Sequence, residues 1–165
     1  MTLNDGLILK AIKSGHIKIE PFDENLIQPA SIDIRLGTKF RFFCAGEGSH
    51  LVSKHDSFYI QPGEFILGCS LEKISLPNDI LGRMDGKSSL GRKGLMIHST
   101  AGYIDPGFSG VVTLEISNIN RSPIMLTPNM KIAQISFMEL KEPAIYPYSS
   151  EKLVSHYQNQ EGPWL

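Results

Sequence analysis

Two periodicities divide the chain. Leu7, Ile8 and Ile12 form an apolar stripe at helical spacing over residues 4–14, with Asn4 or Asp5 as the cap and Gly15 as the stop. From Ser31 the spacing falls to two. Ser31-Ile32-Asp33-Ile34-Arg35-Leu36 alternates polar and apolar before Gly37, as a half-buried strand does. Further strands are expected over 39–43, 57–60, 64–70, 80–85, 95–98, 110–117 and 131–138. Turn chemistry separates them at Gln61-Pro62-Gly63, Leu76-Pro77-Asn78-Asp79, Asp105-Pro106-Gly107 and Thr127-Pro128-Asn129. Many short strands with this punctuation predict a mainly β fold, a barrel or sandwich, with a short N-terminal helix. From Ser149 the pattern turns polar. The expected division is a β-barrel over 1–148 and a tail over 149–165 that is flexible or orders on binding.

Composition narrows the classes. The 165 residues are 41% hydrophobic, with 16 Lys and Arg against 17 Asp and Glu, a net charge of −1. That balance excludes a strongly basic nucleic-acid binder and leaves room for a local basic pocket. No segment reaches the ~18 apolar residues of a membrane span. Cys44 and Cys69 have no CxxC spacing, and the first residues do not resemble a signal peptide, so a cytoplasmic protein is expected.

Two stretches carry candidate chemistry. Asp85-Gly86-Lys87-Ser88-Ser89-Leu90-Gly91-Arg92-Lys93-Gly94 packs three glycines, two hydroxyls and three cations into ten residues. Glycines let backbone amides approach an anion, hydroxyls donate to it, and cations neutralise it. A phosphate site and a solvated basic turn both fit, and the P-loop spacing is absent. The second stretch runs from His98 to Gly110 and into Val111-Val112-Thr113-Leu114-Glu115-Ile116-Ser117. Val112, Leu114 and Ile116 share one face of that strand, and Thr113, Glu115 and Ser117 the other. Glu115 is then either a solvated carboxylate or a pocket-lining proton carrier. Asp105 poses the same choice within an ordinary Asp-Pro-Gly turn. The five histidines show no metal-ligand spacing, and the H-x-E and P-C-x-x-C elements of zinc deaminases are missing.

Together these stretches resemble the dCTP deaminase family, which is similar in fold to trimeric dUTPases. The resemblance lies in Gln28–Gly37, Gly86–Arg92, Thr100–Gly110 with Thr113-Leu114-Glu115, Met130–Gln134 and Tyr157–Gln160, in order along nearly the whole chain. It implies a distorted β-barrel or jelly-roll-like dUTPase fold, a homotrimer with sites between subunits, and no zinc. It also implies dCTP or dUTP as ligand, Mg²⁺ carried on the triphosphate, and dTTP as a feedback inhibitor. By position in these motifs, Glu115 is the proton carrier, while Ser88, Arg92 and the Ala101 carbonyl orient water and stabilise charge. Lys87, Ser88, Ser89, Leu90, Gly91 and Arg92 form the triphosphate and catalytic loop. Asp105 meets the sugar, Thr113, Leu114 and Glu115 read the base, and Gln134, Tyr148, His156 and Gln160 complete the nucleotide site. Gly102-Tyr103, with Gln134, resembles the bifunctional dUMP-forming members.

Two departures from the family pattern stand out. Lys87 replaces an arginine, keeping the charge and losing the bidentate fork. His156 replaces a lysine, and a neutral imidazole weakens phosphate binding at high pH. The alternatives are a deaminase releasing dUTP, a plain dUTPase and a non-catalytic nucleotide-binding barrel. The glycine-rich, arginine-containing C-terminal motif of trimeric dUTPases is absent, and Glu115 sits at the deaminase position.

Overall fold

A computed structural model describes residues 1–44, 48–100, 102–153 and 155–164. Helix α1 spans Asp5–Lys13, and Asn4 caps it by accepting from the Leu7 amide. Thirteen strands follow among the described residues. β1 (Lys18–Glu20) and β2 (Ile27–Gln28) flank a single 3₁₀ turn. Next come β3 (Ser31–Arg35), β4 (Lys39–Cys44), β5 (Gly48–Ser53), β6 (Phe58–Ile60), β7 (Phe65–Ser75) and β8 (Ile80–Gly86). A four-residue helical turn, α2 (Ser88–Gly91), separates these from β9 (Leu95–Met96), β10 (Tyr103–Ile104), β11 (Ser109–Asn118), β12 (Ile124–Leu126) and β13 (Lys131–Glu139).

All pairings named here are antiparallel. One sheet runs β5-β4-β7-β11-β9 with β1 added to β7, a second runs β10-β8-β13-β3-β2, and β12 pairs β6. Inner faces supply the core: Phe40, Ile66, Leu114 and Ile116 from the first sheet meet Ile32, Ile34, Met84, Ile135 and Phe137 from the second. The mainly β reading therefore holds, and so does the alternation along β11. Its even-numbered residues are buried and its odd-numbered residues half-buried.

Sequence pattern located the long strands and missed four short ones, β1, β2, β10 and β12. It also missed β5, Gly-Ser-His-Leu-Val-Ser, which lacks a clean apolar alternation and is an edge strand with mostly exposed residues.

The β7–β11 ladder carries an irregularity that shapes everything near the site. Val111 pairs with Lys73, yet Thr113 pairs with Cys69, so β7 contributes two extra residues at this point. The Ser70 hydroxyl fills the gap, accepting from the Val112 amide at 2.8 Å and donating to the Glu72 carbonyl at 2.6 Å. Glu72 is turned fully inward, where its carboxylate takes the Arg35 amide at 2.9 Å and Arg35 Nε at 2.6 Å. This pair ties β7 of one sheet to β3 of the other. A buried carboxylate stripped of its cation is costly, whereas apolar replacement of both partners is tolerated. Arg35→Met should lower the unfolding free energy by about 3–5 kcal/mol. Arg35→Met/Glu72→Met should lose less, and denaturant titration of both variants checks the order.

Candidate active site

The outer face of the first sheet presents Thr113 and Glu115 of β11 beside Phe65 and Leu67 of β7 and Phe43 of β4. Register aligns them: Glu115 opposes Leu67, and Leu67 opposes Arg41. Side chains directly opposite across antiparallel strands share a face. A cavity of about 380 Å³ lies over this row, closed by Tyr157, Gln160 and Trp164 of the tail.

Glu115 stands at the floor, half-buried. Its backbone amide is held by the Ile97 carbonyl at 2.9 Å. Its Oε2 accepts from the Ser99 amide at 2.6 Å and from the Thr100 amide at 3.4 Å. Among the described residues, these side-chain bonds fall on Oε2, which leaves Oε1 for a ligand or a water. Two backbone donors hold the carboxylate without giving it a cation.

The tail is docked along the barrel through residues 155–164. Val111 N–H donates to the Gln160 carbonyl at 3.0 Å and Asn159 N–H to the Ser109 carbonyl at 2.6 Å. Gln160 Nε2 donates to the Val111 carbonyl at 2.7 Å, and Gln160 Oε1 accepts from the Thr113 hydroxyl at 3.4 Å. Gly110 permits this approach, with φ at +151° and the space of a Cβ lying 3.1 Å from Gln160 backbone atoms. Beyond Gln160, Lys39 Nζ donates to the Glu161 carbonyl at 2.7 Å and Arg41 Nε to the Pro163 carbonyl at 3.1 Å. Tyr148 packs edge-on to Phe108 at 5.7 Å, and its hydroxyl accepts from the Tyr157 amide at 3.3 Å. His156 is exposed, 6.2 Å from the Tyr157 ring.

The Lys87–Arg92 loop lies elsewhere in the chain. Lys87 and Ser88 border a second cavity of about 260 Å³ with Gly86, Gly91, Leu95 and His98. The Lys87 carbonyl accepts from the Leu90 and Gly91 amides, and that fold of the backbone exposes Ser88, Ser89, Gly91 and Arg92 while Leu90 packs on the core. Lys87 Nζ is engaged by Asp33 at 2.5 Å. Gln134 is half-buried, paired in register with both Asp33 and Asp85. Asp105 is exposed in its turn, where its carbonyl accepts from the Phe108 amide at 3.0 Å. Gly102 accepts from the Met84 amide, and a Cβ there would stand 3.2 Å from the Met84 carbonyl. Tyr103 is 63% exposed, so it does not pack in the core of the chain. Ala101 lies outside the described residues.

The structure thus gathers Thr113, Glu115 and Gln160 in one cavity. It leaves Ser88 and Lys87 in another. Sequence reasoning missed the apolar walls Phe43, Phe65 and Leu67 and the tail anchors Lys39 and Arg41. Lys39, Arg41 and Phe43 alternate along β4, which places them on one face; what that face meets is a tertiary fact. Cys69 is buried, its thiol pushed up by that burial, and so makes a poor nucleophile. No group of three or more His, Cys, Asp or Glu among the described residues is arranged to hold a metal.

The paired antiparallel sheets define a dUTPase-like β fold. Structural comparison agrees: 2′-deoxycytidine 5′-triphosphate deaminase from Agrobacterium tumefaciens superposes with a TM-score of 0.68 at 28% identity, over 82% of this chain and 47% of that longer one. A Staphylococcus bacteriophage 80alpha dUTPase shares the fold at a TM-score of 0.53 and 15% identity, over 86% of this chain and 93% of its own. The dCTP deaminase-like family model matches residues 2–140, and the chain belongs to that family. Relatives named dCTP deaminase, dUMP-forming, are 47% identical in Corynebacterium kroppenstedtii, covering 99% of this chain and 95% of that one. The Mycobacterium avium relative of the same name is 49% identical, over 99% and 93%.

The docked tail makes a direct prediction. The amides of Ser109 and Val111 donate to tail atoms of Gln158 and Gln160. Deleting residues 158–165 should speed hydrogen exchange at both amides by at least about tenfold while leaving Leu114 and Ile116 protected. Unchanged exchange at Val111 would mean that the tail does not dock there in solution.

Proposed function

We propose that this protein hydrolyses dCTP to dUMP, diphosphate and ammonia, consuming two waters. The observation that carries the reading is Glu115, fixed by two backbone amides at the floor of the tail-covered cavity. It is supported by end-to-end similarity to relatives named as dUMP-forming.

In the first step water adds to C4 of cytosine. Glu115 takes the proton of the attacking water through its carboxylate and later returns it to the departing ammonia. Free water has a pKa near 15.7, so a positioned base is what makes attack feasible without metal activation. Thr113, one row along β11, and the backbone of Leu114 place the base against Glu115. Ser88, Arg92 and the Ala101 carbonyl complete the water and charge site. Within one subunit, Ser88 lines a different cavity from Glu115, so the reading places the completing loop on a neighbouring copy of a homotrimer.

In the second step water attacks the α-phosphorus and diphosphate leaves. Asp105 orients that water, and the Gly102-Tyr103 pair leaves room for it. The Lys87–Arg92 loop carries the triphosphate, with Tyr148, His156 and Gln160 closing over it from the tail. Mg²⁺ arrives as part of the substrate. The residues do not fit a resident ion: both oxygens of Asp33, the buried acid of this region, are engaged by lysines. We also infer a cytoplasmic location and dTTP as a feedback inhibitor, because dTTP shares the triphosphate and a similar base shape.

Two measurements test the proposal. Incubation with dCTP and Mg²⁺ should yield ammonia, dUMP and diphosphate by ion-exchange analysis. Accumulating dUTP would reduce the protein to a deaminase, and dUTP hydrolysis without ammonia from dCTP would make it a dUTPase. Glu115→Gln should retain dCTP binding and lose ammonia release by about 10²–10⁴-fold. Near-normal turnover would remove Glu115 from the chemistry. His156→Lys should tighten dCTP binding severalfold at pH 8, by placing a long, flexible ammonium at this position. Equal affinity would show that position 156 does not meet phosphate.

A further inference from the structure

We infer that Asp33 is a positioning residue for the phosphate loop, acting through the ammonium of Lys87. The inference rests on the nucleotide-binding reading of that loop. Asp33 sits on β3 with 2% exposure, among the most buried charged groups of the chain. Its two oxygens are divided between two cations: Lys87 Nζ at 2.5 Å from Oδ1 and Lys131 Nζ at 3.4 Å from Oδ2. A carboxylate this buried requires such partners, so the arrangement constrains the lysines as much as the acid.

Lys87 is held at three points. Its amide donates to the Ile132 carbonyl at 3.2 Å, its ammonium meets Asp33, and its carbonyl starts the turn that exposes Ser88 and Arg92. The side chain is 22% exposed, so the ammonium reaches the surface with donors to spare beyond the one given to Asp33. Lys131 differs: its side chain is 49% exposed, and it belongs to β13 rather than to the loop. Asp33, Gln134 and Asp85 stand opposite one another across β3, β13 and β8, which puts Asp33 in the same row as a candidate nucleotide contact. Without the Asp33 charge, two ammonium groups brought to one carboxylate would repel each other, and Lys87 would lose its aim. Asp33 itself touches no ligand in this assignment. It lets a flexible lysine act as a fixed one, which offsets part of the loss from having no bidentate arginine at position 87.

A double-mutant cycle on dCTP affinity tests this, read by calorimetry in a Glu115→Gln background so that binding is measured without turnover. Asp33→Asn alone should weaken dCTP binding about tenfold, as should Lys87→Met alone. The double variant should be no more than about twofold weaker than Lys87→Met, because Asp33 acts through Lys87. A merely structural Asp33 would weaken binding independently, and multiplicative losses would overturn the inference. If Asp33→Asn does not fold, Lys131→Gln takes its place in the cycle. Non-additivity with Lys87→Met supports a single charge unit, and additivity overturns it. A Glu115-intact protein that binds dCTP but releases no ammonia would sink the proposed reaction and leave the cycle readable. Absence of dCTP binding would overturn both.

Discussion

The β7–β11 ladder, with its two-residue offset, is the constraint on which the rest of the structure depends. An uninterrupted ladder would carry one register along the whole of β11. The offset between Val111 and Thr113 ends one register and begins another. On one side it sets Glu115 opposite Leu67, within the apolar row that becomes the cavity floor. On the strand edge away from β7, the Val111 amide and carbonyl pair with Gln160 of the tail. The same irregularity turns Glu72 into the interior, where Arg35 couples the two sheets. The cavity floor and the inter-sheet tie thus meet at one departure from regular pairing, closed by a single serine hydroxyl.

The charges of the chain divide into two kinds. Glu115 is oriented by two backbone amides, which carry no net charge and, among the described residues, bond its Oε2. Glu72 and Asp33 are held by cations and are consumed by that role. The net charge of −1 therefore says little about local fields, because two of the acids are buried against an arginine and two lysines. Glu115 lines one cavity, and Lys87 and Ser88 line another.

Much of the fold was legible. The alternation of Val112-Thr113-Leu114-Glu115-Ile116-Ser117 set both the strand and the outward face of Glu115, since a period of two leaves no other choice for a strand with one buried face. The helix cap at Asn4 and the glycine stop were equally local. Short strands such as β2 and β10, two residues each, escaped because two residues carry no period. The polar tail beyond Ser149 offered no pattern of its own. Its hydrogen bonds go largely to the backbone of β11, and backbone groups are the same in every sequence.

By itself the sequence determined what depends on neighbours along the chain: the strands with a buried face, the turns, the motifs and the residue types that can bind phosphate or move a proton. The tertiary structure decided which of those groups meet. It put Gln160 against Thr113 across 47 residues and Lys87 against Asp33 across 54, and it left Ser88 and Glu115 in separate cavities. Such pairings follow from sheet order and register, which arise when distant apolar faces are buried together, and no local pattern records them.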